Sequence, residues 1–136
     1  MTNRDSTLAL DVGEKRIGVA LATGGVSIAV PLEAVVVDGT EIDAIAKRVK
    51  SDAVNLIIVG YPRNQSGEAT KQTAYVEAFV DRLESIGVPV TYQDESLTSV
   101  LAEQHLKQSG RGYQKGDIDS MAASIILQDY LENKHV

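Results

Sequence analysis

The 136 residues suffice for one domain, 1–136, with a single continuous core, and the 43% apolar content makes the chain globular rather than disordered. The absence of cysteine excludes disulfides, thiolate nucleophiles and zinc–thiolate sites, and a single Phe with no Trp leaves Val, Ile, Leu and Ala to fill the core. The net charge of −6 argues against indiscriminate binding to nucleic acid, and no apolar run is long enough to cross a membrane. Thr2-Asn3-Arg4-Asp5-Ser6 interrupts any signal-like segment. The expectation is a soluble cytoplasmic protein with no membrane partner.

In chain order, residues 7–12 read as a strand, Gly13-Glu14 as a tight turn, and Ile17 to Leu21 as the hairpin partner. Gly24-Gly25 marks a second turn into a third extended run, Val26 to Val37, which Pro31 assigns to a sheet edge. Thr40 is the expected cap of a helix to Lys50, with Ile42, Ile45, Ala46 and Val49 as its apolar stripe. The pattern then alternates strand with helix. Leu56 to Val59 is a strand buried on both faces, leading into Gly60-Tyr61-Pro62. Residues 68–86 form a helix with Ala74, Ala78, Val80 and Leu83 facing inward, stopped by Gly87. Val88 to Tyr92 is the fifth strand, 98–108 a helix, 111–116 a loop, and 117–132 the last helix.

Three antiparallel strands followed by right-handed parallel crossovers give an α/β fold, a mixed five-stranded sheet flanked by helices. Sites in such sheets gather at the carboxyl ends of the parallel strands. The loops after strands one, four and five carry Asp11, the segment Tyr61 to Gly67, and Asp94-Glu95, so the topology brings all three to one edge.

Asp11 sits in the apolar run Leu8-Ala9-Leu10-Asp11-Val12-Gly13, where an unpaired carboxylate would cost several kcal/mol or more. Asp94-Glu95 and Asp119 lie in similarly apolar surroundings. Three such sites, far apart in sequence, suggest one shared cation, and oxygen-only ligands suit Mg²⁺ or Mn²⁺. Adjacent strand residues face opposite ways, so one of Asp94 and Glu95 lines the site; spacing does not choose between them. Asp117 follows Gly116 as a natural helix N-cap, whereas Asp119 shares a face with Ala122, Ala123 and Ile126. Lys15, Arg16, Arg63, Lys71, Arg111 and Lys115 fall in or beside loops, either as ordinary surface charge or as a basic rim around the acidic centre. His105 and His135 lack companion ligands and are read as a helix-surface and a tail residue.

The chain resembles the YqgF family, also called RuvX. The resemblance rests on four ordered blocks: Asp11 to Ala20, Ile58 to Asn64 with Gly67, Asp94 to Ser99, and Lys115 through Asp119-Ser120 to Ala123. It implies a ribonuclease H-like fold and a role as a nuclease maturing the 5′ end of pre-16S rRNA in ribosome biogenesis, or as a Holliday-junction resolvase. It also implies Asp11, Glu95 and Asp119 as the catalytic, metal-binding acids, with Lys15, Arg16, Arg63, Asn64 and Lys115 on the substrate. Two departures are Ser96, where the family usually has Arg, and Tyr61, where it often has Leu.

The chemistry so implied is phosphodiester hydrolysis assisted by two Mg²⁺ or Mn²⁺ ions, which sit roughly 3.5–4 Å apart in such sites. RNA and branched DNA suit the acid triad equally, and ribosome precursors are possible partners. Monomer and homodimer both remain open. Two rival readings are a nucleotide-binding ATPase of the actin and sugar-kinase type, which needs two such domains, and a non-catalytic docking module with relict acids.

Overall fold

The structure, a computed structural model, describes residues 5–24, 28–61, 71–94 and 115–133. Its strands are β1 (Ser6–Val12), β2 (Arg16–Ala22), β3 (Val30–Val36), β4 (Val54–Tyr61) and β5 (Val90–Asp94). The helices are α1 (Glu41–Ser51), α2 (Lys71–Leu83) and α3 (Lys115–Asn133), and a 3₁₀ turn, Glu84–Ile86, follows α2. The sheet order is β3-β2-β1-β4-β5. β2 runs antiparallel to β1 and β3, while β1, β4 and β5 are mutually parallel. The expected mixed sheet is present, with Pro31 on an edge strand. No helix among the described residues is long and apolar enough to cross a membrane.

The two faces of the sheet differ in side-chain size, and that difference sets how closely the helices approach. On one face Leu8, Leu10, Val12, Ile17, Val19, Ile57 and Val59 pack against Ile45 and Val49 of α1 and Val76, Phe79 and Leu83 of α2. Full burial of each such aliphatic side chain is worth about 1.5–3 kcal/mol. On the other face Ala9 and Ala20, paired across the β1–β2 ladder, join Ala22 and Ile58 beneath Ala123, Ile126, Leu127 and Leu131 of α3. Small residues on the inner strands let α3 lie close to the sheet.

Four local expectations are corrected. Thr40 makes no side-chain cap to α1. Its amide and hydroxyl instead donate to Asp38 Oδ1, at 3.0 and 2.6 Å, so the aspartate two residues earlier organises the helix start. Those two contacts, the hydroxyl first, hold the Asp38 carboxyl below its ordinary pKa. In α2, Ala74 and Ala78 are exposed, and the buried stripe is Thr73, Val76, Phe79 and Leu83. The largest apolar side chain, Phe79, determines the inward face. The third strand is shorter than the apolar run and spans only Val30–Val36. The last helix begins at Lys115, so Asp117 lies inside its first turn and is not an N-cap. The stop at Gly87 holds: its φ of 86° is left-handed, and its amide donates to the Glu84 carbonyl at 3.1 Å. The helix expected at 98–108 lies outside the described residues.

Candidate metal and nucleic-acid site

Asp11 is the penultimate residue of β1 and half-buried. Side chains alternate along a strand, and Ala9 packs under α3, so Asp11 is on the α3 face as well. Across the ladder its partner is Gly18 of β2. A Cβ at Gly18 would overlap the Asp119 carbonyl and come within 2.8 Å of the Ser120 amide nitrogen. The first turns of α3 therefore rest on the strand residue opposite Asp11. Here the β2–β3 register slips between Ile17 and Val19, and the Val19 amide donates to Ser120 Oγ at 3.2 Å. That bond fixes the rotation of α3 about its axis.

Asp119 lies on this same face and end. Its Oδ2 accepts a hydrogen bond from Arg16 Nε at 2.9 Å, forming an ion pair between side chains 27% and 34% exposed. Arg16 is the first residue of β2, and its carbonyl accepts the Gly13 amide at 3.0 Å to close the turn after Asp11. That turn is anchored from the opposite face, where Gln72 of α2 donates from Nε2 to the Val12 carbonyl at 2.9 Å. Asp11, Arg16 and Asp119 thus come from three separate positions in the chain onto one end of one face.

Asp117 is exposed on the first turn of α3. Lys15 is exposed in the turn, and its carbonyl accepts the Val37 amide at 3.0 Å. Lys115 opens α3. β5 ends at Asp94, whose partner on β4 is Tyr61. Glu95, Arg63, Asn64, Ser96, Arg111, His105 and His135 lie outside the described residues. Among the described residues no three acidic or histidine side chains form a metal-binding group. Asp11 and Asp119 are the two candidate ligands within them. Tyr61 is on the opposite face, where its hydroxyl donates to Glu77 Oε2 at 2.7 Å and its ring lies 4.6 Å from that of Tyr92. Burial, reinforced by the charges of Glu77 and Asp81, raises the Tyr92 pKa.

Sequence reading missed the contributions of Gly18 and Ser120. The signal for the first was a lone glycine between Ile17 and Val19 in a strand, which marks close approach of another backbone. It also read Arg16 as a phosphate contact, with no partner among the acids.

A family model described as "RuvX: Holliday junction resolvase" matches residues 5–133. The chain belongs to the RuvX family. It is 44% identical to a protein of Chloroflexus aggregans named "Putative pre-16S rRNA nuclease", across 96% of this chain and 95% of that one. A Synechocystis protein of the same name is 41% identical, across 97% and 90% of the two chains. Among solved structures, Thermus thermophilus RuvC in complex with a Holliday junction substrate aligns at a TM-score of 0.55 over 96% of both chains, with 15% identity. A second structure of Thermus thermophilus RuvC aligns at 0.50 over 96% of both chains, with 14% identity. At these identities the likeness to RuvC is one of fold, and the fold is ribonuclease H-like, as the sequence resemblance implied.

Proposed function

We propose that this RuvX-family chain is a metal-dependent nuclease that hydrolyses phosphodiester bonds in 5′-end maturation of pre-16S rRNA, acting in the cytoplasm on ribosome precursors. The observation that carries the reading is the convergence of Asp11 and Asp119 at one end of the α3 face, beside Arg16. The relatives named for pre-16S rRNA support the choice of substrate.

The donor set is all oxygen and half-exposed, which fits Mg²⁺ or Mn²⁺. Asp11, Glu95 and Asp119 would hold the ions. Bound there, the ions supply the Lewis acidity that activates an attacking water and stabilises the leaving oxygen. The chain's own task is to hold these carboxylates in place and to lay the substrate across them. Gly18 and Ser120 fix the main chain of Asp119, and the turn closed by Arg16 fixes the end of β1. Lys15, Arg16, Arg63, Asn64 and Lys115 would hold the phosphates, which orients the scissile bond without reading its sequence.

The description of the family model favours a second reading, resolution of Holliday junctions. A symmetric junction needs two active sites, so a two-fold dimer in solution belongs with that role and a monomer with single-strand processing. The deciding experiment is cleavage of pre-16S rRNA and four-way junction DNA side by side, with Mg²⁺, Mn²⁺ or chelator. Metal-dependent cutting of the rRNA precursor alone is the expected result. Cutting of the junction alone replaces it with the resolvase, and cutting of neither leaves a non-catalytic docking module.

A further inference from the structure

We infer that Arg16 is a positioning residue for Asp119 and at the same time a contact to the substrate phosphate, so that one guanidinium ties a metal-site carboxylate to the strand being cut. The inference rests on the nuclease reading above and adds to it a link between two groups otherwise treated separately.

The contact geometry carries the argument. Arg16 reaches Asp119 through Nε, the inner nitrogen of its guanidinium, and engages Oδ2. Among the described residues the other carboxylate oxygen and Nη1 and Nη2 make no further hydrogen bond, so the first can meet a cation and the other two a second acceptor. A guanidinium has five N–H donors in a rigid fork, so it can serve a carboxylate and a phosphate together. The Arg16 side chain keeps 34% of its surface exposed, so an incoming strand can reach it.

Both ends of the pair are also anchored in the main chain. Arg16 starts β2, paired with Val36 of β3, and its carbonyl closes the turn to Gly13. Asp119 is held by the close approach of Gly18 and by the bond from the Val19 amide to Ser120. An ordinary surface ion pair joins two flexible side chains on loose supports. This one spans 103 residues of sequence between a strand and a helix that cannot slide past each other. Hydrogen-bond partners of metal-ligating carboxylates orient them, and their loss typically costs about 10–100-fold in metal affinity or activity.

The test uses the full chain as wild type, Arg16→Lys and Arg16→Gln, with folding checked by melting temperature. Calorimetry measures Mn²⁺ affinity, and binding of a single-stranded RNA oligonucleotide is followed over a salt series in EDTA. Arg16→Lys keeps the charge but offers one ammonium in place of the fork. It should weaken Mn²⁺ binding roughly ten-fold, at the low end for such partners, and leave the salt slope unchanged. Arg16→Gln should flatten that slope by about 0.7, the value for one phosphate contact on a single strand. A folded Arg16→Lys that binds Mn²⁺ as tightly as wild type overturns the positioning role. An unchanged slope in Arg16→Gln overturns the phosphate contact. Wild type that binds Mn²⁺ but cuts neither RNA nor junction DNA removes the nuclease reading while both arms still report on Arg16. Wild type that binds no Mn²⁺ removes both.

Discussion

Gly18 and Asp119 touch main chain to main chain: the strand residue opposite Asp11 has no side chain, and the carbonyl of Asp119 fills the space a Cβ would take. The distance between the two candidate metal ligands is therefore set by backbone contact, which relaxes less than contact between side chains. Ala9 and Ala20 continue the same close approach deeper under α3, where Ala123 packs against them. The site lies at the end of the sheet where this seam opens to solvent.

Gly18→Ala should consequently do more harm than its one methyl suggests. Overpacking costs roughly 1–3 kcal/mol, and the upper end applies here because the obstacle is helix backbone. The variant should melt several degrees lower and lose its response to divalent metal, as α3 lifts and carries Asp119 away. Gly87→Ala is the contrast. A left-handed residue costs about 1–2 kcal/mol, but nothing lies within 4 Å of a Cβ there, so the metal response should survive. Thermal melts with and without Mn²⁺ separate the two behaviours.

Divalent metal should raise the melting temperature of the wild type, because close carboxylates repel one another until a cation joins them. At a hundred times its dissociation constant a ligand stabilises by about 2.7 kcal/mol, worth several degrees in a chain of this size. Asp11→Asn removes one of the repelling charges. It should leave the metal-free protein as stable or more so, and blunt the rise with metal. A variant whose melting temperature climbs with Mg²⁺ as far as the wild type's would take Asp11 out of the site.

Glu41 supplies a pH dependence away from the site. It is buried at the start of α1, its Oε1 accepts the Gly39 amide at 2.7 Å, and its Oε2 accepts Arg82 Nη2 at 3.0 Å. The hydrogen bond from its own amide, then those from Arg82 and Gly39, hold its pKa below the ordinary 4.5. A depressed folded pKa means stability that is fully present above the unfolded value and is lost as pH falls through the folded one. Glu41→Gln should thus melt a few degrees below wild type at pH 7, with the gap closing below about pH 4.5. A gap that persisted into acid would show that packing, and not charge, makes the difference.

Much of this architecture is legible in the sequence because strand signals are local. The alternation around Leu8 and Leu10, the turn at Gly13 and the proline on β3 each act over a few residues, and all three local readings built on them agree with the sheet. Helix faces are less legible. Ala74 and Ala78 sit at helical spacing as readily as Val76 and Phe79, and only the bulk of Phe79 against the sheet decides between them. Thr40 has a capping residue type, but Asp38 competes for its hydroxyl. At the site, the polarity of Asp119 in an apolar stripe was readable, while its partner Arg16 was not. An ion pair across 103 residues leaves no periodic trace.

The remaining prediction concerns Ser96, where the family usually has Arg beside the acid pair. If the site is a working nuclease, Ser96→Arg adds one cation close to the candidate ligand Glu95. It should tighten substrate binding and steepen its salt dependence by roughly 0.9 in the log–log slope on duplex DNA, or about 0.7 on a single strand. Asp119→Asn is the complementary variant, because it removes a candidate metal ligand but no phosphate contact. It should abolish cleavage, and binding should change little, since the uncharged amide still offers an oxygen to Arg16. Binding isotherms over a salt series, with cleavage assays on the same preparations, distinguish the two effects. A Ser96→Arg variant with the wild-type slope would place residue 96 away from the strand, and cleavage surviving Asp119→Asn would take α3 out of the chemistry.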